Sequence, residues 1–448
     1  MTAGGLPTPA LLILGVAFIM LALASPKAAL FVILPTIALA PETQVGLVVI
    51  RPDDVMIAIL AVSWGVRRLV STARGRTPLD QPLVLYFIIG LAATLWGAAI
   101  GTADLTSPAK FSASGLHLLK RLEFILFFFV IRDSIRSIVD ARRLIYTFMA
   151  ALAALSVYSL ITYRQTGTIA LGPSGTPIHE PGLASLLNIA LALGFLVRPA
   201  VVGRAWVMLA VLVGSLYTLP FGLGRNYLSA TLLMLVIVAV WRKRPILLLL
   251  PITTLVISVV GVTLFPENVT QRFLTLTSIF NAPAQASALG VSIFDRFAPG
   301  IEHSLQVLTT SPVLGWGLGS IALGSIDSEY AGQFIYTGLL GFLIFLWVVV
   351  RIARTAHDAY RAALASNSPA LPMITGLQHC LLGYALYSVF SPSISAARAG
   401  AFFFTVLGLV AVLHREVAAA GVREASPADA WSEPSTGALG APAAEWTV

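Results

Sequence analysis

The chain has 448 residues, of which 57% are hydrophobic and 11% are charged, and its mean hydropathy is +0.89. A soluble domain carries about a quarter charged residues, so this composition excludes an ordinary soluble globular protein. The single cysteine excludes an internal disulfide and a cysteine metal cluster.

Apolar segments recur along most of the chain, and they predict a polytopic helical membrane protein. The first 40 residues are open to two interpretations. Two spans would place the N-terminus outside, whereas one interrupted or re-entrant span would place it inside. We therefore expect an all-α protein with about 12–13 transmembrane helices. The predicted spans lie near 9–24, 28–41, 53–70, 82–100, 112–131, 142–162, 182–197, 204–219, 226–241, 245–265, 330–350, 373–390 and 397–414.

The net charge of +8 comes largely from basic residues in short loops between the apolar segments. These loops follow alternate spans, so all of them can face the cytoplasm at once, as the positive-inside rule requires. The charge is therefore read as membrane topology, and no nucleic-acid partner is expected. The basic loops lie at 67–76, 132–143, 198–204, 242–244 and 351–361.

The spans divide the chain into four regions: an N-terminal transmembrane bundle (1–265), a long extracytoplasmic loop (266–329), C-terminal transmembrane helices (330–414) and a disordered cytoplasmic tail (415–448). The tail is rich in Ala, Pro, Ser and Glu. Apolar residues recur at helical spacing in the long loop, which predicts a short amphipathic helix on the membrane surface. They are Phe294, Phe297, Ile301, Leu305 and Leu308.

Lys120, Arg121 and Glu123 lie near the middle of the predicted span 112–131, where an ionisable side chain costs several kcal/mol. Glu123 is three residues from Lys120 on the same helical face, so the charges could compensate each other. A second interpretation is that the helix starts later and the charges lie near the outer interface. The functional interpretation is that they line a polar cavity.

Two arginines open late spans at their outer ends. Arg225 stands at the start of the ninth span, where the helix N-terminus adds positive charge and favours an anion such as phosphate. The alternative is that its side chain snorkels to lipid headgroups. Arg398 has a similar depth at the start of the last span and is open to the same interpretation.

Carboxylates and a histidine also precede outward helix starts. His179 and Glu180 lie before the seventh span, where they could cap the helix or take part in catalysis. Asp327 and Glu329 lie before the eleventh span, where the helix dipole favours them and where a general base could face arginines across a cavity. The acidic segment at 51–54 is read as an ordinary capped helix start.

The sequence SPVLGWGLGS contains closely spaced glycines that resemble a nucleotide-binding loop. That motif needs a preceding strand and a βαβ unit, neither of which this sequence predicts. We therefore expect the glycines to let the chain turn sharply and re-enter the membrane surface, with Trp316 at the interface.

Four stretches taken together resemble the superfamily of O-antigen ligases and Wzy-type polysaccharide polymerases. An arginine opens a late span in GLGRNYLSA, and a second begins the amphipathic segment DRFAPGIEHSLQVLTTSP within the long loop that follows. PVLGWGLGS follows, and SEYAGQFIYTGLLG leads into the next span. The resemblance is strongest over roughly 220–350, with a compatible topology elsewhere.

The resemblance implies a GT-C-like membrane fold and metal-independent glycosyl transfer without a cofactor. The donor would be a glycan on undecaprenyl pyrophosphate, at the outer face of a bacterial plasma membrane. Arg225 and Arg296 would bind the donor pyrophosphate, and we assign Arg398, Lys120 and Arg121 to the same site. Other implied partners are a glycan acceptor, the lipid bilayer, a chain-length regulator and a flippase.

The candidates for the catalytic base are Asp327, Glu329, Glu180 and His179. Ligases of this superfamily usually carry a histidine where this sequence has Asp327, which favours a polymerase of exopolysaccharide or O-antigen repeat units. The alternatives are a ligase that passes the glycan to a lipid or protein, and a secondary transporter, which the charges in the span 112–131 would suit.

Overall fold

In the computed structural model, the described elements include two short strands, thirteen α-helices and a short 3-10 helix at Pro245–Leu248. The described residues are 8–40, 43–45, 48–70, 76–102, 108–166, 180–197, 202–219, 225–243, 245–254, 293–321, 326 and 328–425. The helices are α1 Thr8–Ala24, α2 Pro26–Leu39, α3 Pro52–Val70, α4 Asp80–Ala99, α5 Pro108–Ser134, α6 Ile138–Thr166, α7 Glu180–Val197, α8 Val202–Thr218, α9 Arg225–Trp241, α10 Ile293–Thr310, α11 Glu329–Ala365, α12 Leu371–Val389 and α13 Ala397–Ala425. The strands, Thr43–Val45 and Val48–Ile50, form a small antiparallel hairpin between α2 and α3.

The first two predicted spans are separate helices, α1 and α2. Ser25 interrupts the chain between them and caps α2, because its Oγ accepts a hydrogen bond from the Ala28 backbone amide at 3.2 Å. Pro26 follows at the first helical position, where its missing N–H costs nothing. The structure has two short helices here, and the choice between two spans and one interrupted or re-entrant span stays a prediction.

Four of the described helices are long and apolar enough to cross a membrane: Asp80–Ala99, Ile138–Gln165, Glu329–Ala365 and Arg398–Ala420. Five further apolar helical stretches have 10–17 residues, and a 17-residue helix is about 26 Å long. The chain thus has the composition of an α-helical membrane protein, while the number of 12–13 spans stays a prediction. The second half of the predicted span 245–265 lies outside the described residues.

Helices α7 and α13 lie at the centre of the bundle. Residues 181–194 of α7 and 398–413 of α13 are all buried, as expected of helices that are apolar on every side. Helix α12 packs against α7 and α9, α11 packs against α4, and α13 packs against α5. The predicted N-terminal and C-terminal transmembrane regions therefore form one bundle.

A cluster around Asp133 joins the helix ends on the side of the basic loops. Its carboxylate accepts hydrogen bonds from Arg132 Nε at 2.7 Å, from Arg68 at 2.7 Å and from Trp64 Nε1 at 3.0 Å. Arg132 also pairs with Asp80. Burial alone would raise the pKa of Asp133, but Arg132, Trp64 and Arg68 together hold that pKa below its ordinary value.

The last helix continues past the predicted start of the disordered tail. Helix α13 ends at Ala425, and Arg415 donates hydrogen bonds to the carbonyls of Arg132 at 3.0 Å and Ile135 at 2.8 Å. These carbonyls lie at the C-terminal end of α5, where a cation is favourable. The predicted boundary at Arg415 is therefore too early, because that residue caps a neighbouring helix.

Helix α11 is broken at Gly338, whose backbone has φ 63° and ψ −167°. A break of this kind frees carbonyls and amides that need other partners in apolar surroundings. The glycine segment, residues 311–321, supplies these partners through four backbone hydrogen bonds. They run from Trp316 N to Ile335 O at 2.9 Å, from Gly317 N to Tyr336 O at 3.0 Å, from Leu339 N to Pro312 O at 2.8 Å and from Leu340 N to Val313 O at 3.1 Å.

The glycines of this segment adopt conformations that L-residues rarely take. Gly315, Gly317 and Gly319 have φ of 69°, 90° and 72°, and a Cβ on Gly315 would lie 2.5 Å from the amide nitrogen of Gly338. The predicted sharp turn is thus confirmed. The same glycines also let two backbones approach closely. The position of Trp316 at a membrane interface stays a prediction.

The predicted amphipathic helix is α10. Val307 is buried against the glycine segment and α11, whereas Ile301, Leu305 and Leu308 are exposed on the opposite side. An apolar face left exposed in this way suits contact with lipid, although its contact with a membrane stays a prediction.

We expect Gly315→Ala to lower the unfolding temperature in detergent, because the new Cβ meets the α11 backbone and the positive φ alone costs about 1–3 kcal/mol. Gly214→Ala is the matched control, because its Cβ would meet nothing within 4 Å. Equal unfolding temperatures for the two variants would contradict the docking of the glycine segment.

Candidate active site

A small, partly open pocket lies between α4, α5, α11 and α13 and has a cavity volume of about 20 Å³. Its polar lining comes from Tyr86, His117, Lys120, Arg121, Tyr336 and Ser395, and Leu318 of the glycine segment forms part of the wall. Arg121 is about 18 Å along α5 from Asp133. The pocket therefore lies towards the end of the bundle opposite the basic loops.

Arg121 is the central polar group of the pocket and is only 7% exposed. Its guanidinium lies over the ring of Tyr86 at 4.2 Å, and one nitrogen, Nη2, donates to Gln333 Oε1 at 3.1 Å. The other, Nη1, is buried and has no hydrogen-bond partner among the described residues. Gly90 makes room for it, because a Cβ there would lie 2.5 Å from that nitrogen.

Glu329 holds the pocket wall in place from behind and is 1% exposed. Its Oε1 accepts from Gln333 Nε2 at 2.6 Å and from Ser395 Oγ at 2.9 Å. Its Oε2 accepts from the backbone amides of Ile394 at 3.0 Å and Ser395 at 3.1 Å. One carboxylate therefore fixes both the turn before α13 and, through Gln333, the guanidinium of Arg121.

The contacts of Lys120 agree with two of the interpretations made from sequence. It pairs with Glu123 at 3.0 Å, as internal compensation predicts, and it also pairs with Asp54 at the start of α3. Lys120 and Arg121 nevertheless both line the pocket, as the cavity interpretation predicts.

The segment 51–54 is a helix start with a structural function, as expected. Asp54 accepts a hydrogen bond from the backbone amide of Arg51 at 3.1 Å. The buried Arg51 side chain forms a two-pronged pair with Asp53, with distances of 3.0 and 2.7 Å. Sequence spacing did not predict the contact from Asp54 to Lys120, because those residues are 66 positions apart.

Arg398 is fully buried and is bound within the protein. Its Nε donates to the carbonyl of Ile37 at 3.1 Å, its Nη2 to that of Ala40 at 2.5 Å, and its Nη1 pairs with Glu180 at 3.2 Å. Arg51 also donates to Ile37 O, at 3.1 Å. Two arginines thus satisfy the C-terminal carbonyls of α2, and the predicted base Glu180 is paired with one of them.

Of the remaining predicted site residues, Arg225 and Arg296 can be placed only by their positions in helices. Arg225 is the first residue of α9, and Arg296 is in the first turn of α10. His179 and Asp327 lie outside the described residues.

The starts of α9 and α10 both adjoin elements of the pocket. Asn226, next to Arg225, donates to Phe390 O at 2.6 Å, at the beginning of the turn that ends in Ser395. Gly300, one turn after Arg296 in sequence, packs near Ile326 and Ala331 at the start of α11.

The chain matches no protein-family model and no curated protein. Its function must therefore be inferred from its own residues.

The pocket combines a buried cation, aromatic rings and a few hydrogen-bonding groups, which suits an organic ligand that carries oxygen acceptors. Among the described residues, no three or more His, Cys, Asp or Glu side chains come together as a metal site. The sequence interpretation missed His117, Tyr86 and Gln333. Gln333 carried a usable signal, because a buried amide within an apolar span is rare.

Arg398→Ala is expected to lower the free energy of unfolding by about 3–5 kcal/mol, because it leaves Glu180 and two helix-end carbonyls without their buried cation. The measurement is thermal unfolding in detergent. Arg354→Ala, at an exposed position on α11, is the control and should unfold like the parent protein. An unchanged unfolding temperature for Arg398→Ala would contradict the structural role and return Arg398 to the list of ligand-binding residues.

Proposed function

We propose that the protein is a membrane glycosyltransferase that polymerises oligosaccharide repeat units carried on undecaprenyl pyrophosphate. The hydroxyl of an acceptor sugar attacks the anomeric carbon of the donor, and a new glycosidic bond forms as the bond to the pyrophosphate oxygen breaks. Undecaprenyl pyrophosphate leaves, and a base takes the hydroxyl proton. The reaction takes place at the outer face of a bacterial plasma membrane.

One observation carries most of the weight in this proposal. The stretches PVLGWGLGS and TGLLG, which underlie the family resemblance, are hydrogen-bonded to each other across the break in α11. Together they place Leu318 and Tyr336 in the wall of the pocket that holds Arg121. Elements that are separate in sequence thus build one polar pocket, which is more than a structural helix pair needs.

The donor pyrophosphate is assigned to Arg225 and Arg296. Both residues stand at or near helix N-termini, where backbone amides and the helix dipole favour an anion. Positive charge fixed there would stabilise the departing pyrophosphate as its charge develops. Arg398 is less suited to this role, because Glu180 and two backbone carbonyls already occupy its guanidinium.

The base is assigned to Asp327 or His179. Glu329 accepts four hydrogen bonds and is almost fully buried, and Glu180 is paired with Arg398. The oxygens of these carboxylates already accept hydrogen bonds within the protein, so they are less available to a substrate hydroxyl. We therefore place Glu329 and Glu180 in supporting roles.

The test is to incubate the purified protein in detergent and EDTA with a synthetic undecaprenyl-pyrophosphate repeat unit, and to separate the products by length. A ladder of lengthened glycans is expected with the parent protein. Arg225→Ala and Arg296→Ala should each lower the rate by about 100-fold or more, because each removes a preorganised cation from the leaving group.

Arg164→Ala is the matched control, because this arginine at the end of α6 is exposed and bonded to Tyr217 at 3.2 Å. It should give a normal ladder. Consumption of donor only when a second lipid or protein acceptor is added would identify a ligase. No consumption of any repeat unit, with transport of a solute in reconstituted vesicles, would refute the glycosyltransferase.

A further inference from the structure

The lining of the pocket is selectively cationic. Arg121 and Lys120 contribute to its surface together with His117, whereas no carboxylate lines it among the described residues. The nearby carboxylates lie behind the wall: Asp54 and Glu123 are bound to Lys120, and Glu329 is bound to Gln333. A ligand in the pocket therefore meets positive groups first.

Arg121 needs an acceptor that the described part of the protein does not supply. Its Nη1 is buried without a partner, and its Nη2 is bound only to the neutral amide of Gln333. An unsatisfied buried donor costs more than a typical hydrogen bond contributes. Stacking on Tyr86 at 4.2 Å holds the guanidinium in one orientation, so the site for the missing oxygen is preorganised.

The surrounding charges determine how much negative charge a ligand in the pocket can carry. Lys120 is already compensated by two carboxylates, whereas Arg121 contacts none among the described residues. When Glu329 is counted, the region holds two cations, Lys120 and Arg121, and three carboxylates, which belong to Asp54, Glu123 and Glu329. A pyrophosphate would add two or more negative charges to this balance, whereas a single carboxylate pairs with Arg121 alone.

Aromatic rings give the rest of the pocket an amphipathic character. Tyr86, Phe124 and Tyr336 line it beside the hydroxyl of Ser395. Such a lining suits the carboxylate-bearing edge of a polar ring that also carries hydroxyl groups. A sugar ring has this character.

We propose that the pocket receives the carboxylate of a sugar residue of the uronic-acid class, with Arg121 paired to that carboxylate. This inference rests on the proposed function, because it names a residue of the glycan repeat unit that the polymerase lengthens. Lys120 and Arg121, which the sequence analysis assigned to the donor pyrophosphate, then recognise the glycan. Arg121 determines specificity and takes no part in the bond changes.

The experiment compares two lipid-linked repeat units that differ only in one sugar, a uronic acid or the corresponding hexose. The parent protein should elongate the acidic unit with a kcat/KM on the order of 10- to 100-fold higher, the range that a charge-assisted hydrogen bond supports. Arg121→Gln should bring the ratio close to one, and Arg121→Lys should restore part of it. Arg164→Gln is the control and should leave the ratio unchanged.

A binding measurement separates failure of this inference from failure of the proposed function. The unfolding temperature is followed with a soluble uronic-acid oligosaccharide, its carboxyl-reduced counterpart and inorganic pyrophosphate. Stabilisation by the acidic oligosaccharide alone, lost in Arg121→Gln, supports the inference even if no ladder forms. Equal elongation of both repeat units, or stabilisation through Arg121 by pyrophosphate and not by the acidic glycan, overturns it.

Discussion

The architecture depends on a break in helix α11, at a buried position where water cannot supply hydrogen bonds to the backbone. At Gly338 the helical hydrogen bonds of α11 are interrupted, and the backbone of the glycine segment supplies four hydrogen bonds to the residues on either side of the break. The exchange works only because Gly315 lacks a side chain at the closest approach. Once docked, the segment brings Leu318 beside Tyr336, and the pocket has its wall.

Two buried cations of this region are compensated from other helices. Lys120 on α5 is compensated from α3, and Arg398 on α13 is compensated from α2 and α7. Such pairs contribute little net stability, because desolvation offsets much of the attraction, but removing one partner is costly. They therefore act mainly to fix which helices meet. Arg121 is bound from another helix only by the neutral amide of Gln333, and among the described residues it has no ion pair, which distinguishes it from Lys120 and Arg398.

Much of the fold was predictable from sequence, whereas most of the site was not. Apolar runs fixed the helices because lipid leaves the backbone few alternatives, and the spacing of Ile301, Leu305 and Leu308 predicted α10. The break at Gly338 was not predicted, because glycine is common in unbroken membrane helices. Nor could spacing show that Arg398 meets Glu180, since 218 positions separate them. Long-range pairing depends on how helices are arranged, and a single sequence does not encode that arrangement in a local pattern.

The arginine caps of α2 have a consequence for the order in which the protein is made. Ile37 and Ala40 leave the ribosome long before Arg398, whose side chain binds both carbonyls from 361 and 358 positions later. Chains fold from the N-terminus during synthesis, so the Ala40 carbonyl lacks this partner until α13 has been made. Before that point only Arg51, of the two arginines, can bind the end of α2, so the packing of α13 completes a helix that was made much earlier.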